Sequence, residues 1–344
     1  MIKWSAKADR QKWLEQMIQS GDWDSVKKLR KGTVHRQGRL RTQSGILAES
    51  CGRAETIAKY HAQVQWRALL ANAALPTEPT LGPTLPICVD IFSAPELHVV
   101  LAHLRCQRAA GHDDVPPEFW KILAASVEAT THLLELCSSV WIDKDIPPEW
   151  RHAVVTAVFR QGHEALPENY RPISLLTVGY KVLAPLLLNR LRHGGCEQRL
   201  RRSQFGFRPD RRASDAIFIA QRLIDTALAE RDGKLSMIWL DWAKAFDRID
   251  HAAMVVAVKR FGLPSEFVCL VTAIYRERTF VVREGHCEST AHRQDSGIAQ
   301  GFPLSPYLFI IVLSVIFADV DAKIAADHRA QQFLREVTVT TDLS

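Results

Sequence analysis

Asp241 stands at the end of an apolar run. Residues 235–242, LSMIWLDW, read as a short buried strand that delivers a carboxylate at its tip, and Phe246 follows at the start of the next turn. A carboxylate at a strand end projects into a cleft, where its hard oxygens suit Mg²⁺. In isolation the same letters describe a capping Asp and a core Phe. Residues 297–306, GIAQGFPLSP, place two glycines and two prolines in ten positions ahead of an apolar stretch. Such a loop is tight and feeds a helix N-terminus, either as a plain turn or as a surface that lets backbone and Gln300 lie close to a base pair. Arg171 in NYRPISLL (169–176) and Arg208 in QFGFRP (204–209) lie beside residues that stiffen the backbone. A fixed guanidinium fork pairs with two phosphate oxygens at once, while a surface salt bridge would use it equally well.

Helices and strands must carry these groups to one place, and the spacing predicts a mixed α and β chain. Helices are expected over about 94–108, 116–142, 173–193 and 213–230, and over 251–262, stopped by Gly262 and Pro264. The β-branched stretch 152–160 is a strand, residues 280–290 form a hairpin around Gly285, and 306–320 is a long apolar helix. Upstream, 1–31 read as two short basic helices, 32–45 as a basic loop and 49–74 as another helix. Pro76, Pro79, Pro83 and Pro86 deny residues 71–87 a helix, so this stretch reads as an extended linker at a domain boundary.

Composition bounds the class. The chain has 344 residues, 47% hydrophobic and 24% charged, which excludes wholesale disorder, collagen-like repeats and coiled coil. No run of about 18 apolar residues is free of charge, so no membrane span is expected. The N-terminus is charged from Lys3 and has no apolar core, so no secretory signal is expected. Seven scattered cysteines, none in a CxxC, argue against a disulfide framework or zinc finger and for an intracellular, reducing compartment. Residues 1–70 hold 14 Lys/Arg against 6 Asp/Glu, and eight arginines cluster between Arg190 and Arg212. Localised positive charge attracts nucleic acid, or it coats a solvated helix face.

Taken in order, these stretches resemble the reverse transcriptases of non-LTR retrotransposons, with similar patterns in group II intron reverse transcriptases. The resemblance spans residues 111–321 and rests on GHDDVPPEFWKIL, IPPEWRHAVVTAVFRQG, NYRPISLLTVGYKVL, SQFGFRPDRRASDAI, LDWAKAFDRIDH and GIAQGFPLSPYLF. It implies an α+β right-hand polymerase, with fingers over 88–234, a partial palm over 235–344 and a basic helical connector over 1–70. Residues 39–66 are similar to the connector that precedes the polymerase in that family. The implied activity is RNA-directed DNA synthesis with two Mg²⁺ ions, taking an RNA template, a DNA primer and deoxynucleoside triphosphates. Asp241 would be the first metal-binding carboxylate and Trp242 would add a backbone carbonyl. The amides of Lys244 and Ala245 would sit near the triphosphate, and Phe246 would be the gate against a ribose 2′-hydroxyl. Arg171, with Arg160 where the family often has Lys, would grip the triphosphate, and Gln300 and Gly301 would contact the nascent base pair. Arg199, Arg201, Arg202, Arg208, Arg211 and Arg212 would line the template path. Protein partners are not legible.

The chain departs from the pattern in one respect. The family's Tyr/Phe-Ala-Asp-Asp hairpin, which supplies the remaining carboxylates, is not found. Residues 317–321, FADVD, imitate it but read as the end of the apolar helix, its acids solvated. Residues 337–344 begin like a strand, with Asp342 in the place a degraded motif would take. The expectation is a chain that ends before that motif and the thumb and extends primers poorly or not at all. The alternative is a non-catalytic RNA- or DNA-binding remnant. An unrelated hydrolase is disfavoured, since no G-x-S-x-G, Walker loop or HExxH is present.

Overall fold

The valine-rich stretch forms the central strand of the only sheet found among the described residues. The computed structural model describes residues 40–42, 44–49, 52–68, 79–229 and 233–329. β1 (His152–Phe159) pairs antiparallel with β2 (Tyr170–Leu175), Val154 opposite Leu175 and Phe159 opposite Tyr170. On its other side it runs parallel to β3 (Thr279–Glu284), Val154 opposite Val281. Gly285, at φ +61°, turns β3 into β4 (Cys287–Glu288), and β5 (His292–Arg293) also pairs with β3. Ala153, Val154 and Val155 of β1 are all buried, as a central strand covered on both faces requires. Pro172 lies in β2, the sheet's edge strand, where a residue without an N–H is tolerated.

Nine helices of seven or more residues are described, and their ends follow local chemistry. They are α1 (Arg53–Tyr60), α2 (Ala94–Ala102), α3 (Pro117–Leu123), α4 (Val127–Asp143), α5 (Val178–Leu191), α6 (Ala213–Ala229), α7 (His251–Phe261), α8 (Ser265–Tyr275) and α9 (Ser305–Ala326). Glu96 returns to the Ser93 backbone to cap α2, and the Asp250 carboxylate accepts from the Ala253 N–H at 2.9 Å to start α7. Gly262, at φ +98°, ends α7 in the left-handed conformation. α1 packs on β3, α2 on α4 and α5, and α7 on α8 and α9. α5 and the first half of α9 fill the centre, and the rings of Trp150, Tyr180 and Phe302 stack at centroid distances of 5.4 and 4.6 Å.

The described residues, which begin at Leu40, fall in one compact unit. The helices expected over 1–31, most of the basic loop and the strand-like tail with Asp342 lie outside the described residues. Of the Pro-rich stretch, residues 79–87 are extended but tied down. The N–H groups of Leu81 and Leu85 donate to the carbonyls of Arg260 and Gly262, both at 2.8 Å, and Leu85 and Ile87 are buried.

Several expected elements differ. The helix placed over 173–193 begins only at Val178, because 170–175 pair with β1 and Thr177 supplies the cap. The stretch 116–142 is broken between Leu123 and Val127, and the helix over 94–108 stops at Ala102. The helix over 49–74 is α1 plus one wide turn, His61–Gln65. The largest difference is at 235–242, which is not a strand. No described segment pairs with it, and Ile238, Trp239 and Leu240 are 85%, 77% and 77% exposed. Apolar letters give a strand only where a neighbour accepts and donates the ladder hydrogen bonds. No described helix is long and apolar enough to cross a membrane.

Candidate active site

Three stretches far apart in sequence converge on one cleft of about 520 Å³. The β1–β2 hairpin contributes Arg160 and Arg171, both exposed. Residues 241–247 contribute Asp241, Trp242, Lys244, Ala245 and Phe246, and the loop before α9 contributes Gln300 and Gly301. Every residue assigned from the sequence to the metal or the nucleotide therefore lines this one cavity. The Ser174 N–H donates to the Gln300 carbonyl at 2.8 Å, which locks the glycine-rich loop against β2. Gly301 makes that approach possible, for at φ +125° a Cβ would stand 2.4 Å from the Ser174 carbonyl oxygen.

Phe246 is clamped into the wall. Its ring stacks on Phe309 at 4.7 Å and meets Phe207 edge-on at 5.8 Å. Lys244, at φ +53°, opens the short turn Ala245–Arg248. Its ammonium reaches away to α1, donating to the Tyr60 hydroxyl at 2.6 Å. Asp241 is exposed.

A buried polar network under the cleft was not foreseen. Asp247 is 4% exposed, and its carboxylate accepts from the Trp66 indole N–H at 3.1 Å and from the Gln300 amide at 3.1 Å to both oxygens. Burial pushes the Asp247 carboxyl up, and the hydrogen bonds from Trp66, Gln300 and Gln65 with the charge of Lys244 oppose that. Beside it His61 is fully buried, Nδ1 against the Gln65 side-chain oxygen at 3.1 Å, and burial pushes its imidazole down to about 3. The His251 Nε2–H donates to the Gly297 carbonyl at 2.7 Å, tying α7 to the loop. The one sequence signal for Asp247 was an acid next to a core Phe; Trp66, 181 residues away, gave none.

The arginine cluster divides. Arg208 is turned inward, its fork donating to the Glu197 carboxylate and to the carbonyls of Glu197 and Arg201, with the side chain 8% exposed. Three of its five N–H groups are thus taken by protein partners, which fits the salt-bridge alternative better than a place on the template path. Arg199 donates to the Phe261 carbonyl at 2.7 Å, Arg201 pairs with Asp321, and Arg211 donates to the Arg202 carbonyl. Arg202 and Arg212 are exposed, and none of the six lines the cleft. The acids of 317–321 lie in α9 as expected but are not merely solvated. Arg260 makes a two-pronged contact with Asp319 at 2.8 and 2.5 Å and holds its carboxyl below the usual range.

Comparison with known sequences decides the family. The profile described as reverse transcriptase (RNA-dependent DNA polymerase) matches residues 160–342, just over half of the chain. The chain belongs to the reverse transcriptase family. A Drosophila melanogaster protein named "Probable RNA-directed DNA polymerase from transposon BS" is 28% identical over 74% of this chain. "RNA-directed DNA polymerase from mobile element jockey", also from Drosophila melanogaster, is 27% identical over 64% of it. A Xenopus laevis protein, "Transposon TX1 uncharacterized 149 kDa protein", is 26% identical over 66% of it. The chain spans only 27%, 24% and 17% of these relatives' own lengths, respectively.

Reverse transcriptases generally use divalent metal ions, and the residues present can be tested for that. Of the three carboxylates that line the cleft, Asp247 is held by donors, while Asp241 and Glu168 are exposed, and Trp242 follows Asp241. Among the described residues no three His, Cys, Asp or Glu side chains are grouped so as to hold an ion. Without such a group the described residues do not by themselves make a two-ion centre, in which clustered carboxylates share the charge.

Proposed function

We propose that the cleft is the deoxynucleoside triphosphate site of an RNA-directed DNA polymerase, with the β1–β2 hairpin as part of the fingers and residues 235–329 as part of the palm. The convergence of Arg160 and Arg171 with Asp241, Phe246 and Gln300 in one cavity carries this reading. Two exposed guanidinium groups on a rigid hairpin suit a triphosphate, which would enter as its magnesium chelate. Phe246, fixed between Phe207 and Phe309, would present a flat wall to the sugar and so disfavour a 2′-hydroxyl. Asp241, with the Trp242 carbonyl, would face the metal-bearing end of the triphosphate. RNA template and DNA primer would be the macromolecular partners.

The test is triphosphate binding with an RNA template–DNA primer and magnesium present. dATP should bind more tightly than ATP, Arg171→Ala should weaken both, and Phe246→Ala should narrow the gap between them. Binding that is absent, or indifferent to Arg160→Ala and Arg171→Ala alike, would sink the reading. A second reading, nucleic-acid binding without catalysis, is favoured by the lack, among the described residues, of three His, Cys, Asp or Glu side chains grouped to hold an ion. Its mark is RNA affinity that falls steeply with salt through counterion release while no primer is extended.

A further inference from the structure

We infer that Asp247 is a positioning residue: it fixes the side-chain amide of Gln300 so that the amide oxygen, not the nitrogen, is offered to the occupant of the cleft. The inference deepens the nucleotide-site reading and rests on it for the identity of that occupant. An ionised carboxylate only accepts hydrogen bonds. Both Asp247 oxygens lie 3.1 Å from Gln300 Nε2, so chemistry assigns the nitrogen to that side; an oxygen there would set acceptor against acceptor in a buried place. Oε1 must then face the other way. It has no partner among the described residues, and Gln300 lines the cleft. The cleft thus receives a fixed acceptor, which selects a hydrogen-bond donor on the bound nucleotide.

The carboxylate is itself held from several sides. Trp66 is fully buried, donates to Asp247 at 3.1 Å, and accepts at its own carbonyl from the N–H groups of Asp295 and Ser296, both at 3.1 Å. Ile298 N–H donates to the Phe246 carbonyl at 2.8 Å, and Gly297, at φ +78°, lies so close that a Cβ there would be 3.0 Å from the Asp247 Cα. The Lys244 charge and the Gln65 amide face the same group. Residues before β1 and the loop before α9 are therefore joined through one carboxylate, which has little freedom to release the amide.

Asp247→Asn keeps the shape and reverses the polarity. The new amide keeps its oxygen for Trp66, and the nitrogen that replaces the second carboxylate oxygen stands donor against donor, 3.1 Å from Gln300 Nε2, which favours a flip that offers the Gln300 nitrogen to the cleft. No charge remains to desolvate, so folding is not expected to suffer. Two readouts apply: solvent exchange of the Gln300 side-chain amide protons by NMR on ¹⁵N-glutamine protein, with Gln300→Ala assigning the signals, and dATP affinity with the template–primer bound. In the parent chain at pH 8 those protons exchange slowly. In Asp247→Asn their exchange quickens and dATP binding weakens about tenfold, the worth of one hydrogen bond. Adding Gln300→Glu to Asp247→Asn restores most of the affinity, because the amide at 247 then donates to the carboxylate at 300, an acceptor again faces the cleft and the net charge of the pair is unchanged. A merely structural role would not be rescued by polarity. Unchanged exchange in Asp247→Asn, or a double variant that binds no better than the single one, overturns the inference. If the parent chain binds no dATP while the amide protons behave as stated, the nucleotide reading falls and the positioning of Gln300 stands.

Discussion

Gly301→Ala should destabilise the chain for two separable reasons, backbone conformation and collision. At φ +125° an L-residue is strained whatever the space around it, which costs about 1–3 kcal/mol. The added Cβ would also lie 2.4 Å from the Ser174 carbonyl oxygen, against the 3.0 Å below which real contacts essentially never fall. The oxygen is backbone of β2 and cannot rotate away, so loop and strand must part by at least about 0.6 Å. Parting them endangers the 2.8 Å bond from Ser174 to the Gln300 carbonyl, worth about 0.5–1.5 kcal/mol. The expected loss is about 2–4 kcal/mol in all. Gly285→Ala is the matched control: its φ of +61° is also positive, but a Cβ there meets nothing within 4 Å. It should lose only about 1–2 kcal/mol, the conformational part. The entropy removed from the unfolded chain is common to both and cancels in the comparison. Urea unfolding followed by far-UV circular dichroism gives both numbers. If Gly301→Ala unfolds at the same urea concentration as Gly285→Ala, the close packing of loop on strand is wrong.

Other expectations follow from the same contacts. Trp66→Phe keeps a ring against Phe280 but deletes the donor to Asp247, and should lower the unfolding free energy by about 1–3 kcal/mol; a neutral result in urea would mean that Asp247 does not depend on that indole. The hydrogen bond from Arg190 holds the Glu96 carboxyl down at about 2, so its stabilisation is full above its ordinary pKa of 4.5 and is lost as pH falls from there toward 2. Glu96 is one-third exposed, so Glu96→Gln should cost a screened ~1–2 kcal/mol at pH 7, and its thermal deficit should shrink below pH 4.5. His61, pushed by burial from 6.5 to about 3, is neutral when folded and protonates on unfolding in mild acid. Stability should therefore fall by up to ~1.4 kcal/mol per pH unit below 6.5, and His61→Phe should flatten that slope in urea titrations between pH 6.5 and 5; an unchanged slope would place the titration elsewhere.

How much of this was legible follows from how local each interaction is. Gly262 after a helical run and Gly285 between β-branched runs did what their types demand, because a left-handed residue answers to its own φ alone. The stretch 173–176 was harder. It reads as the start of a helix over 173–193, yet Tyr170–Leu175 pairs with β1, and tertiary pairing decided. The cleft itself was legible through family resemblance: residue types that make sense only together, around Arg171, Asp241 and Gln300, line one cavity. For Arg208 the sequence left two uses of a fixed guanidinium open, and only the structure shows its fork on Glu197 and two carbonyls.

The segment 235–242 and Asp247 show the same limit from opposite sides. Hydrophobic letters before Asp241 read as a buried strand, yet a strand is a property of two segments, and none of the described residues takes the other half of its ladder. Conversely, Asp247, in the turn after Phe246, drew no reading from the sequence, yet it is buried, and donors from Trp66 and Gln300 make that burial tolerable. In each case the missing information was the partner, distant in the chain and set by packing. The consequence is chemical as well as structural. Asp241 is exposed and Asp247 is engaged, so two carboxylates six positions apart have divided into one free to meet a ligand and one that aims the amide beside it.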